Sequence, residues 1–304
     1  MRVVFLGTPE FAVPSLRGLA ARHEVAAVFT QPDRPKGRGN QLAESFVKVA
    51  AKELAIPVYQ PERIRRPEAV EQLRELAAEI MVVVGYGQII PQSIIDLPRR
   101  GILNVHASLL PKYRGAAPIQ WAIANGETET GVTIMQIDAG LDTGDMLLKA
   151  SMAIGPDETA PELSARLALS GAELLLEAMR HIEDGTVRRE KQDDGEATLA
   201  PILKKEDGAI DWSKAARQIY DRLRGFTPWP GAYTMFRAQQ LSVLRARVEK
   251  REMPAAQIAV EKHRVFVGSG SGALELLEVQ LAGKKRMPAE AFANGYRIEG
   301  ETLR

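Results

Sequence analysis

Ile80-Met81-Val82-Val83-Val84 is an unbroken apolar run that stops at Gly85-Tyr86-Gly87. A strand with one wet face alternates apolar and polar residues, whereas a strand covered on both faces of a parallel sheet does not. Outward from this run the same grammar repeats. Val3–Leu6, Val25–Phe29, Val58-Tyr59, Ile102–Val105 and Val132–Ile137 read as strands. Between them, Phe11–Leu19, Ser45–Ala55, Pro67–Ala78 and Pro118–Ala124 have helical apolar spacing, and Glu162–Ile182 is a long helix. Met146–Ala153 is expected as an antiparallel neighbour of the preceding strand. Strands alternating with helices predict an α/β fold, a doubly wound, mostly parallel, Rossmann-like sheet over residues 1–189.

A polar stretch follows, Arg188-Arg189-Glu190-Lys191-Gln192-Asp193-Asp194-Gly195, and residues 190–206 read as a linker. Beyond Asp211-Trp212-Ser213 and a helix over Ala215–Leu223, the segments shorten to Ala232–Phe236, Leu241–Val248, Val265–Val267 and Leu274–Val279. Short strands between turns predict a small C-terminal β-barrel over residues 207–304, and an OB-like barrel fits the size.

The chain has 304 residues, 45% hydrophobic and 26% charged, which suits about two globular domains. It has no Cys, so disulfides, thiolate nucleophiles and Cys-based zinc sites are excluded. The N-terminal apolar run is too short for a secretory signal or a membrane span, so a cytoplasmic protein with no membrane partner is expected. A monomer is expected, because no long amphipathic stretch is left unexplained. The net charge of +1 hides an asymmetry. Residues 201–304 carry 18 Lys and Arg against 12 Asp and Glu, whereas the remainder carries 22 against 27. A basic C-terminal module beside an acidic one suggests an anionic partner, unless the lysines merely solvate the surface.

Asn104-Val105-His106-Ala107-Ser108-Leu109-Leu110-Pro111 ends one strand, and Leu141-Asp142-Thr143-Gly144-Asp145 follows another. Residues two apart on a strand point to one side, so Asn104 and His106 can converge on a carbonyl at the strand end where α/β sheets bind ligands. The four His residues, His23, His106, His181 and His263, have no ligand spacing, and Asp138, Asp142 and Asp145 lack the pattern of a calcium loop. No metal is expected. Gly7-Thr8-Pro9-Glu10-Phe11 is not a dinucleotide fingerprint, since Pro9 also removes a backbone donor, and this disfavours an NAD enzyme. Gly85-Tyr86-Gly87-Gln88-Ile89-Ile90-Pro91 is either a plain strand-to-helix turn or a place where main-chain groups read a flat heterocycle. Arg34, Lys36 and Arg38 sit in a loop rich in Pro and Gly, which reads either as a solvated surface or as a phosphate-binding loop.

These motifs resemble the folate-dependent formyltransferases. The resemblance is collinear over essentially the whole chain and adds Gln31-Pro32-Asp33-Arg34-Pro35, Arg114-Gly115-Ala116-Ala117-Pro118-Ile119-Gln120, Ile210-Asp211-Trp212, Pro228-Trp229-Pro230-Gly231-Ala232 and Gly283-Lys284-Lys285. Gly85 stands where the family pattern has Ala, and Ile202 where it has Lys. The resemblance implies 10-formyltetrahydrofolate as co-substrate and the α-amino group of methionyl initiator tRNA as acceptor. It implies Asn104, His106 and Asp142 as catalytic. Asn104 would donate to the developing oxyanion, a role worth about 3 kcal/mol in other enzymes. His106 and Asp142 would share proton transfer, with Asp142 holding the imidazole. Ser108, Leu109, Leu110, Pro111, Tyr86, Gly87, Ile89 and Asp138 would line the folate pocket. Arg38, with Lys36 and Arg34, would reach the tRNA acceptor stem, and Lys204, Lys205, Lys284, Lys285 and Arg286 would meet its backbone. A formyltransferase for a small acceptor would share the catalytic three but would not need the basic loop or the β module. A non-catalytic RNA- or folate-binding protein would not need the three.

Overall fold

The apolar runs become strands of one sheet. A computed structural model describes residues 1–36 and 41–304. In chain order the first strands are β1 (Arg2–Gly7), β2 (Glu24–Phe29), β3 (Arg34–Lys36), β4 (Gln41–Ala43), β5 (Val58–Tyr59), β6 (Ile80–Val84), β7 (Ile102–His106), β8 (Arg114–Gly115), β9 (Glu129–Gln136), β10 (Met146–Ala153) and β11 (Leu199–Ala200). Seven of them form a sheet in the order β10-β9-β7-β6-β1-β2-β5. Pairing is parallel from β5 to β7, and antiparallel where β9 joins β7 and β10 joins β9. The sequence expectation of a mostly parallel sheet with an antiparallel partner for the 132–137 strand is met.

The helices follow in the same order: α1 (Val13–Ala20), α2 (Phe46–Glu53), α3 (Pro67–Glu75), α4 (Gln92–Ile95), α5 (Pro118–Ala124) and α6 (Ala160–Glu183). Ser45 caps α2, its hydroxyl accepting from the Lys48 N–H at 3.0 Å. All five residues of β6 are buried, as a strand covered on both faces requires. Val4, Leu6, Ala27, Phe29, Met81 and Val83 pack with Ile64, Leu73, Ile94 and Ile102 in one cluster. Each such aliphatic side chain contributes roughly 1.5–3 kcal/mol by leaving water. The order of strands reverses at β1, whose neighbours are β2 and β6, so the carboxyl ends of β1, β6 and β7 border the crevice of a doubly wound sheet.

The described chain forms two compact units. One comprises Met1–Pro118, Glu129–Ala153 and Ser164–Pro201, and the other Ile119–Thr128, Ile154–Leu163 and Ile202–Arg304. The second unit contains α7 (Ala216–Gly225), β12 (Ala232–Phe236), β13 (Gln239–Glu249), β14 (Ile258–Glu261), β15 (Arg264–Gly268), β16 (Ala273–Leu281), β17 (Met287–Pro288) and α8 (Ala289–Tyr296). Its antiparallel sheet runs β12-β13-β16-β15-β14, with β17 beside β16. The last residues join the two edge strands. Arg304 exchanges hydrogen bonds of 2.6 and 3.0 Å with Met235 of β12, Ile258 at the head of β14 donates to Glu301, and Leu303 donates to Ala256. The core includes Trp212, Ile219, Leu241, Val265, Leu274, Phe292 and Leu303. Trp212 is buried with its indole N–H on the Thr234 hydroxyl at 3.0 Å, as a buried indole requires.

Candidate active site

β7 supplies Asn104 and His106 from one face, pairing with β6 through Val83 and with β9 through Met135 and Thr133. His106 is buried, and its Nε2 lies 2.9 Å from the Tyr113 carbonyl. A carbonyl only accepts, so Nε2 carries the proton and donates it there. Nδ1 is then the nitrogen free to take up or release a proton, and it faces Asp142 Oδ2 at 3.6 Å. Asn104 Nδ2 donates to Asp142 Oδ1 at 3.3 Å, and its second hydrogen remains for another acceptor. The Gly115 N–H donates to Asp142 Oδ2 at 2.8 Å.

The three expected residues therefore meet at one carboxylate. The imidazole, however, makes its hydrogen bond to the Tyr113 carbonyl and not to Asp142. Tyr113 and Gly115 act here through main-chain atoms that a residue-by-residue reading does not reveal. Asp142 has φ +51°, a left-handed conformation that Asp tolerates better than most residues. Gly115 has φ +120°, and a Cβ there would lie 2.7 Å from the Ala200 carbonyl. Only glycine can place that N–H on Asp142 without displacing β11.

Of Ser108–Pro111, two side chains turn inward. The buried Ser108 hydroxyl donates to the Lys112 carbonyl at 2.6 Å, and Leu110 packs on Met135 and Met146. Thr133 ties the turn down, donating to the Ser108 carbonyl at 2.7 Å and accepting from the Leu110 N–H at 3.1 Å. Leu109 and Pro111 stay half-buried. Tyr86 is likewise interior, and burial pushes its phenol up from the usual tyrosine value. Its carbonyl already accepts from the Thr8 hydroxyl and the Gln31 amide, at 3.1 and 3.0 Å. Gly87 and Ile89 are exposed. The exposed Asp138 accepts from Gly140 N–H and from the Thr143 hydroxyl, shaping its own loop.

The basic candidates lie on separate elements. Arg34 is exposed on β3 and Lys36 ends that strand, which pairs with β4 as a hairpin. Arg38 lies outside the described residues. Lys204 and Lys205 are exposed where a short 3-10 turn begins, and Lys284, Lys285 and Arg286 are consecutive and exposed between β16 and β17. Among the described residues, no group of three His, Asp or Glu side chains is placed to hold a metal ion, and no helix is long and apolar enough to cross a membrane.

The Formyl transferase family profile matches residues 1–179, and that of the Formyl transferase C-terminal domain matches residues 202–297. The chain belongs to the formyl transferase family. The methionyl-tRNA formyltransferase of Solibacter usitatus is 62% identical to it, covering 100% of this chain and 98% of the relative. That of Geobacter metallireducens is 54% identical, covering 98% and 97%. In fold, the chain is similar to an N-formyltransferase from Helicobacter canadensis solved with folinic acid and dTDP-3-aminofucose. The TM-score is 0.70 at 20% identity, covering 93% of this chain and 99% of that one.

Proposed function

We infer that this chain transfers the formyl group of 10-formyltetrahydrofolate to the α-amino group of methionyl initiator tRNA. The observation that carries the reading is end-to-end identity of 62% with a methionyl-tRNA formyltransferase. The gathering of Asn104, His106 and Asp142 at the end of β7 supports it.

The co-substrate supplies a formyl group activated on nitrogen. Its heterocycle suits a turn such as Gly85-Tyr86-Gly87, where two exposed positive-φ glycines let a flat ring approach the backbone, with the half-buried Leu109 and Pro111 as further lining. Asn104 gives one amide hydrogen to Asp142 and turns the other to the carbonyl oxygen as that oxygen gains charge. His106 keeps Nε2–H on Tyr113 and exchanges its proton at Nδ1. Asp142 draws off the acceptor amine's proton, directly or through water, before attack. The neutral amine that results is the nucleophile. As the tetrahedral adduct collapses, the formyl bond to the folate nitrogen breaks, and that nitrogen leaves with the same proton, relayed from Asp142 through His106 Nδ1.

The basic surfaces take the RNA in this reading. Arg34, Lys36 and Arg38 serve the acceptor stem, and Lys204, Lys205, Lys284, Lys285 and Arg286 the backbone. We assign residues 1–189 as the catalytic domain and 207–304 as the RNA-binding one, in a cytoplasmic monomer. The test incubates the protein with 10-formyltetrahydrofolate and Met-charged initiator or elongator tRNA, and assays formyl-methionine after deacylation. Formylation of the initiator alone is expected. Folate binding without formylation of either tRNA would move the function to a small amine acceptor.

A further inference from the structure

The stretch that reads as a linker carries a side chain wired into the site. Gln192 Nε2 donates to the carbonyls of both Asp142 and Gly144, at 2.7 and 2.8 Å. Its Oε1 accepts from Arg114 Nε and NH2 at 3.0 and 2.9 Å. Carbonyls only accept and a guanidinium only donates, so one orientation of the amide satisfies all four bonds. Arg114 is buried and is held further by Asp194 at 2.7 Å. It stands between Tyr113, whose carbonyl holds His106, and Gly115, whose N–H holds Asp142. The same stretch fastens this segment from outside. Tyr113 N–H donates to the Thr198 hydroxyl, Arg114 N–H to the Thr198 carbonyl, and β11 pairs in parallel with β8.

Asp142 is thus clamped at its main chain by Gln192 and at its side chain by Gly115, in a left-handed conformation that needs such support. Gly144 adds a geometric reason. A Cβ there would lie 1.8 Å from the Gln136 carbonyl, so the 142–144 turn has little room in which to shift. We propose that Gln192, anchored on Arg114, is a positioning residue that sets the Asp142 carboxylate against Asn104 and His106. It acts through Asp142 and touches no substrate. The proposal rests on the catalytic reading of those three residues.

Gln192→Glu is the sharpest variant. It keeps an oxygen for Arg114 and, by charge, strengthens that interaction, but it sets a second oxygen against two carbonyls. Single-turnover formylation of Met-charged initiator tRNA is measured for the wild type, Gln192→Glu, Asp142→Asn and the double variant, alongside thermal unfolding. The expected loss for Gln192→Glu is on the order of 10²-fold in rate, the scale of an ångström misplacement. KM for folate and tRNA should change less than about threefold, and the unfolding midpoint should hold. In the Asp142→Asn background the same substitution should cost almost nothing, because a residue acting through Asp142 has nothing left to position. Additive losses in the double variant, or a wild-type rate for Gln192→Glu beside an impaired Asp142→Asn, would overturn the proposal. A wild-type rate for Asp142→Asn itself would instead overturn the catalytic reading beneath it. Should Gln192→Glu fail to fold, Gln192→Ala removes the clamp without adding charge and enters the same cycle.

Discussion

Two polar regions of this molecule are built on opposite plans. Around Asp142, both carboxylate oxygens have partners in Asn104 and Gly115, and its carbonyl is taken by Gln192. Between β16 and β17, the side chains of Lys284, Lys285 and Arg286 stand in solvent with no partner among the described residues. The first plan draws on three elements distant in sequence to hold a few atoms to within hydrogen-bond tolerance. The second asks nothing of geometry. Acyl transfer needs donors aimed at a point before the charge develops, whereas a phosphate backbone needs only positive charge within reach. Under the proposed function, order in one region and freedom in the other suit what each would recognise.

The contrast breaks most easily at the ordered end. Replacing Asn104, His106 or Asp142 by Ala should each lower single-turnover formylation by about 10²–10⁴-fold, the range for lost oxyanion donors and proton-transfer groups. Folate and tRNA affinities, read by titration, should stay within a few fold. A loss in affinity as large as the loss in rate would mean that these residues build the pocket and do not run the chemistry. At the free end, removing the charges of Lys284, Lys285 and Arg286 together should weaken tRNA binding and leave the rate at saturating tRNA unchanged. The plot of log affinity against log salt should flatten by about 0.7–0.9 for each phosphate left without its cation. An unaltered slope would make those side chains ordinary surface.

The smallest effect tests whether the second unit has ordered charge anywhere. Arg264 donates to the buried Glu275 at 2.7 and 2.8 Å and holds its carboxyl below the usual carboxylate value. A depressed folded-state pKa stabilises above the unfolded value of about 4.3 and is lost as pH falls through the folded one. Glu275→Gln should therefore lower the thermal midpoint most at neutral pH, and the gap should close in acid. A pH-independent gap would assign the effect to packing.

The parallel sheet was legible because a strand buried on both faces leaves no polar residue in its sequence, as in Ile80–Val84. Asn104 and His106 were legible because alternation along a strand is fixed by covalent geometry. Tyr113 was not, since a carbonyl leaves no trace in residue type, and Gly115 shows in the sequence as a glycine but not as the donor to Asp142. Gln192 was hidden among charged neighbours, 50 positions from the residue it supports. Side-chain direction was also beyond sequence. The side chains of Ser108 and Tyr86, two residues expected to line the folate pocket, are buried, where one meets a carbonyl and the other an apolar cluster. The loop that carries Arg34 and Lys36 includes β3, which pairs antiparallel with β4. Helix α8 went unseen because eight residues with Gly295 inside show too little period, though Ala289, Phe292 and Ala293 bury one face.

The interleaving of the two units bears on how such a chain can be recombined. The second unit does not begin at residue 202, since it also owns Ile119–Thr128 and Ile154–Leu163. Trp121 meets Phe226 edge to face at 5.2 Å, and Arg224 donates to the carbonyls of Gly155 and Glu158 at 3.2 and 2.8 Å. A graft of 202–304 into another scaffold would leave behind the ring and the carbonyls that α7 is built against. Crossovers between relatives should be tolerated when all three pieces travel together, because this unit is a patchwork in sequence and not a cassette.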